Sequence, residues 1–113
     1  MNGKVYYYIS PNGNNPVKDF ITSLEMNQRA KIRRILELAE NYGLEFIHPY
    51  VKKLSGSPLW EIRILGKDNI RILYIGLSGN NILALHGFFK KTQKTPLKEI
   101  ETALNRLKLW RNS

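Results

Sequence analysis

The stretch "LWEIRILGKDNIRILYIGLSGNNILALHGFF", residues 59–89, decides how this chain folds, because runs of strand-forming residues alternate in it with turn-forming ones. The runs cover residues 59–65, 69–77 and 82–89, the last two joined around "SGNN". Side chains alternate faces along a strand, so Trp60, Ile62 and Ile64 share one side while Glu61 and Arg63 take the other. An odd loop, residues 66–68, keeps Ile70, Ile72 and Tyr74 with that apolar trio, whereas an even loop would bury an unpaired Arg71 guanidinium at high cost. A two-residue turn in "SGNN" then brings Leu83, Leu85 and Phe89 to the apolar side. The opposite side collects Glu61, Arg63, Arg71, His86, Phe88 and Lys90, with Arg63 across from Arg71.

Working outward, "KVYYYI" at residues 4–9 reads as a first strand closed by the turn-like "SPNGNN". Asn15 caps a short helix that starts at Pro16 and lines up Val17, Phe20, Ile21 and Leu24. After a break near residues 25–27, Ile32, Ile35, Leu36, Ala39 and Tyr42 mark a longer helix that stops at Gly43. "GLEFIHPY" and "VKKLSGSP" read as loops. Downstream, Thr95 and Pro96 cap and open a last helix whose stripe is Leu97, Ile100, Leu104, Leu107 and Trp110. The expected fold is α+β: an N-terminal strand and two helices packed on an antiparallel sheet, plus a C-terminal helix. One domain spanning residues 1–113 is expected, since 113 residues with 42% hydrophobic content suit a single core.

Composition narrows the partners. Eighteen Lys and Arg against nine Asp and Glu leave a formal charge of +9, which draws in polyanions such as RNA, DNA, the ribosome or an acidic protein. The start of the chain is too short and polar for a signal peptide and no apolar run approaches a membrane span, so a cytoplasmic protein with no membrane partner is expected. The absence of cysteine excludes a disulfide framework, a thiolate nucleophile and a zinc ribbon. His48 and His86 lie in different elements without carboxylates at ligand spacing, so neither metal nor cofactor is expected.

The polar side of the sheet carries the functional expectation. Arginines facing each other across strands repel unless something negative lies between them. Glu61 can supply that charge as an internal partner; a phosphate is the alternative. Arg63, Arg71 and Lys90 with an exposed Phe88 are the components that clamp a backbone phosphate and stack an unpaired base. Glu61 and His86 offer a proton acceptor and donor beside it. An Arg71 in the middle of a strand, on an open polar face, is expected to serve chemistry rather than stability, so that Arg71→Ala would not lower the melting temperature. Lys52 and Lys53 in their loop, and Lys94 beyond the last strand, are expected to follow an RNA backbone.

The block "KKLSGSPLWEIRILGKDNIRILYIG" followed by "NNILALHGFFKKTQKTPLKEIETALNRL" resembles the RelE/ParE superfamily of toxins from type II toxin–antitoxin systems, in its HigB-like, phage-derived branch. "LWEIR", "RILY" and "HGFFKKTQKTP" are similar to its characteristic stretches, and the order of elements extends the likeness over essentially the whole chain. The resemblance implies a small basic mRNA endoribonuclease that acts in the ribosomal decoding site and is neutralised by an antitoxin often bearing a helix-turn-helix domain. By position, Arg63 and Arg71 match basic catalytic residues of the family and Lys91 matches the basic residue after the last strand, whereas strand parity favours Lys90. Some relatives have a lysine where this chain has Glu61 and a late tyrosine where it has Leu97, so acid–base duty falls to His86 or Glu61. Such cleavage needs no metal when the ribose 2′-hydroxyl is the nucleophile. Two other readings share the basic charge: a ParE-like DNA gyrase poison, and a non-catalytic nucleic-acid-binding module.

Overall fold

The structure, a computed structural model, describes residues 3–66 and 69–113. In chain order it contains β1 (Val5–Tyr7), α1 (Pro16–Thr22), α2 (Met26–Tyr42), a 3-10 helical segment (Leu44–Tyr50), β2 (Val51–Lys53), β3 (Trp60–Ile64), β4 (Ile70–Leu77), β5 (Asn81–Phe89) and α3 (Leu97–Arg111). The helix starts follow local chemistry. Asn15 Oδ1 accepts the backbone N–H of Lys18 at 3.2 Å and Pro16 occupies the first turn. Glu25 and Gln28 form a reciprocal capping box for α2, which ends at Gly43 with φ 107.

All strands join one sheet in the order β1-β5-β4-β3-β2. It is mixed rather than antiparallel: β1 runs parallel to β5, and the other neighbours are antiparallel. "VKK" therefore belongs to a short edge strand paired with β3, not to a loop, and "LEFIHPY" coils as the 3-10 segment. The β3–β4 register is the one parity requires, with Ile62 opposite Ile72, Arg63 opposite Arg71 and Trp60 opposite Tyr74. The odd loop assumed for it includes Lys67 and Asp68, which lie outside the described residues; the pairing on either side carries the register.

The β4–β5 connection departs from expectation. Ser78–Asn80 form a three-residue turn, and Leu73 pairs with His86 while Tyr74 pairs with Ala84, leaving Leu85 as the extra residue of a β-bulge. The bulge changes the phase of β5 midway. Ile82 and Ala84 join Ile62, Ile64, Ile70, Ile72 and Tyr74 against Val17, Ile32, Ile35, Leu36 and Ala39 of α1 and α2. Leu83 and Leu85, expected there too, instead meet Leu59, Leu73, Ile75 and Phe88 with Ala103 and Leu107 of α3 on the other side. Phe89, beyond the bulge, returns to the α1 side, where its ring meets Phe20 edge-on at 5.3 Å. Gly87 makes that approach possible, because a Cβ there would sit 2.4 Å from the Phe20 ring.

The sheet is thus covered on both faces. Leu97 (69% exposed) and Trp110 (38%) fall outside the packed stripe of α3, which buries Ala103 and Leu107 fully and Ile100 and Leu104 in part. Pro96 rather than Thr95 occupies the cap position of α3, and the Thr95 hydroxyl is used elsewhere.

Candidate active site

Glu61 projects from β3 toward the α3 side and is 0% exposed. Burial of a lone carboxylate is prohibitive, and cations surround this one. Arg71 Nε lies 3.4 Å and Lys90 Nζ 3.8 Å from Glu61 Oε1, and the Thr95 hydroxyl donates to Oε2. The register sets this up: Lys52 pairs with Glu61 across β2–β3, Arg71 pairs with Arg63 on one side and with Phe88 on the other, and Lys90 follows directly on β5. Thr95 closes the cluster by carrying the chain over it before α3 begins.

Charge is out of balance in this cluster. Burial lowers the pKa of Lys90, and Arg71, Lys52 and Arg63 lower it further, with Glu61 opposing them. Arg71 is likewise lowered by burial first, against the pull of Glu61 and with Arg63 adding to the effect. Glu61 Oε1 and Arg71 Nε face each other without a hydrogen bond of acceptable geometry, so the pair is electrostatic rather than fully satisfied. Arg71 does donate to the carbonyl of Ile70 at 3.0 Å. At 5% exposed it is packed, not displayed, so, contrary to the expectation of an unchanged melting temperature, Arg71→Ala should destabilise the fold by removing a buried partner of Glu61.

His86 is held from both sides by α3. Arg106 donates to its Nδ1 at 3.2 Å and to the Leu85 carbonyl at 2.9 Å, which leaves the proton on Nε2 for Glu99 Oε1 at 2.7 Å. Its ring stacks on Phe88 with centroids 5.4 Å apart. Burial lowers its pKa, the Glu99 hydrogen bond opposes this, and Arg106 adds to it. The imidazole is therefore neutral near pH 7, with each nitrogen engaged.

The remaining expected residues divide by exposure. Arg63, Lys52, Lys53, Lys91 and Lys94 are exposed. Lys53 turns its ammonium back onto the Ser57 carbonyl of its own loop. Phe88 is only 6% exposed and cannot offer a free face, whereas its neighbour Phe89 is 45% exposed. Sequence reasoning put Phe89 on the apolar side, where it lies, without expecting its exposure, and it missed Glu99, Arg106 and the link from Thr95 to Glu61. Glu99 and Arg106 did carry a signal, since a spacing of seven places both on the helix side that also presents Ala103. No helix among the described residues is long and apolar enough to cross a membrane.

A small mixed sheet with paired helices on one face, a C-terminal helix on the other and cations gathered at the ends of β3, β4 and β5 defines the RelE-like class of α+β proteins. More narrowly, residues 19–108 match the family described as phage derived protein Gp49-like (DUF891), and the chain belongs to that RelE/HigB-like family. It is also similar to two curated proteins named "Probable endoribonuclease HigB1", from Mycobacterium tuberculosis strains CDC 1551 / Oshkosh and ATCC 25618 / H37Rv. Each is 41% identical over 64 residues, covering 56% of this chain and 50% of the relative. The chain spans about half the length of these curated relatives.

Proposed function

We propose that this protein is the toxin of a type II toxin–antitoxin pair, a cytoplasmic endoribonuclease that cuts mRNA on the ribosome and is silenced by a cognate antitoxin, itself carrying a helix-turn-helix domain. The observation that carries this reading is the gathering of cations, Lys52, Arg63, Arg71 and Lys90, around the carboxylate of Glu61, the one acid of the cluster among the described residues. Such a surplus attracts a phosphodiester, and the printed name of the relatives points to the same chemistry.

Arg63, exposed at the edge of the cluster, holds the non-bridging phosphate oxygens and stabilises the charge that builds on phosphorus. Glu61 and Arg71 sit behind it as a fixed electrostatic floor. The ribose 2′-oxygen bonds to phosphorus as the bond to the 5′-oxygen breaks, leaving a 2′,3′-cyclic phosphate and a 5′-hydroxyl. Lys90 keeps its ammonium beside Glu61 and adds to the charge that Arg63 brings, the 2′-hydroxyl proton passes to water, and the ammonium of Lys91 at the rim supplies one to the departing oxygen. His86 acts by position: together with Arg106 and Glu99 it ties α3 to β5 and so holds the lid over the cluster. Lys52 and Lys94 contact the strand further along, with Lys53 at the end of β2.

The test is cleavage of mRNA on translating ribosomes by purified protein, with 5′ ends mapped, beside its Arg63→Ala variant. Cleavage by the original and a loss of ~10²–10³ in rate for the variant are expected, with an unchanged melting temperature because Arg63 is exposed. Growth arrest with intact mRNA and altered DNA supercoiling would replace this reading with gyrase poisoning.

A further inference from the structure

At Leu85 the strand β5 changes phase, and the carbonyl of that residue is held by a side chain. Leu73 pairs with His86 and Tyr74 with Ala84, so Leu85 stands as the extra residue between them. It is 0% exposed, which keeps water from its backbone, and the β1–β5 ladder ends at Ala84. A buried carbonyl off the ladder costs free energy unless something donates to it. Arg106 of α3 does so: its Nη1 lies 2.9 Å from the Leu85 carbonyl, and the same nitrogen lies 3.2 Å from His86 Nδ1. The guanidinium carbon stands 5.6 Å from the centre of the Tyr8 ring, so the side chain is braced from that side as well.

The phase set at Leu85 reaches the cationic cluster. Beyond the bulge Phe88 pairs with Arg71 and Phe89 with Ile70, and Lys90 follows with its Nζ 3.8 Å from Glu61 Oε1. If the pairing of Ile82 to Ala84 continued without the extra residue, every later side chain would change faces. His86 would then stand across from Ile72 and Phe88 across from Ile70, both turned toward the α1–α2 core, and Lys90 would leave Glu61 for the same side. The bulge thus decides that Lys90 enters the cluster.

We infer that Arg106 is a positioning residue of the cationic cluster: by holding the Leu85 carbonyl it fixes the bulge, and the bulge delivers Lys90 to Glu61. It acts through the backbone of β5 and not on the phosphate. Only the cleavage readout rests on the RNA-cleaving reading; the register of β5 does not. Without the guanidinium the buried carbonyl loses its donor and the end of β5 loses its fixed phase. Displacing an aligned charged group by about 1 Å costs on the order of 10² in rate.

Two measurements on the full chain decide this. Arg106→Met keeps the apolar stem and removes the donors. By NMR its cross-strand contacts before the bulge, Gly76 to Ile82 and Tyr74 to Ala84, should persist. Those beyond it, Arg71 to Phe88, should weaken, and the Lys90 N–H, bonded to the Asn69 carbonyl, should exchange about tenfold faster. Equal loosening on both sides of the bulge, or none, overturns the proposal. His86→Asn loses the ring but leaves the bond to the carbonyl, so its register beyond the bulge should hold; loosening to match Arg106→Met would make the ring the anchor and overturn it too. Arg106→Lys retains one donor, should show the same one-sided loosening to a smaller degree, and carries the comparison should Arg106→Met unfold. On mRNA, Arg106→Met should cut ~10²-fold more slowly with little change in KM, and adding Lys90→Ala should cost almost nothing further, because Lys90 is already displaced. Additive losses, or a full rate with an altered register, remove Arg106 from the positioning of the site. One-sided loosening in a protein that cuts nothing removes the nuclease and leaves the control of register by Arg106.

Discussion

The two faces of the sheet are built from the same strands and by opposite rules. On the α1–α2 face, Ile62, Ile64, Ile70, Ile72 and Ile82 close against apolar side chains of the helices. On the α3 face, one half is equally apolar, with Leu73, Leu83 and Leu85, while the other half buries Glu61 and Arg71 and confines Lys90 and His86. Strict alternation in β3 and β4 produces both faces at once, so one stretch of sequence serves two ends: β-branched residues facing one way hold the fold, and charges facing the other way prepare a site. The apolar face can relax around a substitution. The charged one cannot, because every partner removed leaves another charge stranded in a medium of low polarity.

Glu61→Gln attacks that contrast where it is sharpest. It removes the carboxylate that, among the described residues, contacts both Arg71 and Lys90, and the expected loss is about 3–5 kcal/mol in chemical denaturation, the range for breaking a buried ion pair from one side. A loss below 1 kcal/mol would mean that water reaches the cluster freely and that the two faces obey the same rule. On the opposite face, Ile72→Ala, at a site 1% exposed, should cost about 2–5 kcal/mol through lost burial and a cavity, while leaving RNA binding of the folded protein unchanged. If RNA affinity fell with it, stability and site would not be separable by face.

Thr95→Val keeps the shape of the side chain and removes its donor to Glu61 Oε2. The expected cost is about 1–3 kcal/mol for a buried acceptor left short, read from the shift in the denaturation midpoint. A neutral result would place Thr95 as a spacer before α3 and nothing more.

The smallest effect is one of pH. Burial lowers the His86 pKa beneath its ordinary value of 6.5, so between the folded value and 6.5 the unfolded chain binds more protons than the folded one. Stability must therefore rise with pH through that window, and the penalty for charging the ring is complete only below the folded pKa. Melting temperatures followed from pH 5 to 7.5 should rise, with a shallower rise in His86→Asn. The reverse slope would show that the ion pair with Glu99 outweighs burial, and that α3 is held by charge rather than by a neutral ring.

Much of this was legible in the residues. Alternation together with an odd loop between the strands placed Ile62, Ile72 and Tyr74 together and Arg63 opposite Arg71, and local chemistry placed Asn15 and Gly43 at helix ends. These features depend on neighbours in the chain, and a sequence records neighbours directly. The candidate site was legible only as a set of residue types. Parity gathered Glu61, Arg63, Arg71, His86 and Phe88 on one side, but it could not tell that this side would be roofed, so Phe88 and Arg71 were expected in the open and are enclosed.

What the sequence by itself determined is the period of each strand, the side of the sheet each charge would take, the ends of α1 and α2, and a surplus of positive charge. What only the tertiary structure decided is the bulge at Leu85, the descent of α3 onto β5, and the closing of Thr95 over Glu61. A bulge arises from pairing between strands, and a roof from packing between elements distant in sequence. The energy of a buried charge depends on everything that surrounds it, whereas periodicity records only which way a side chain points.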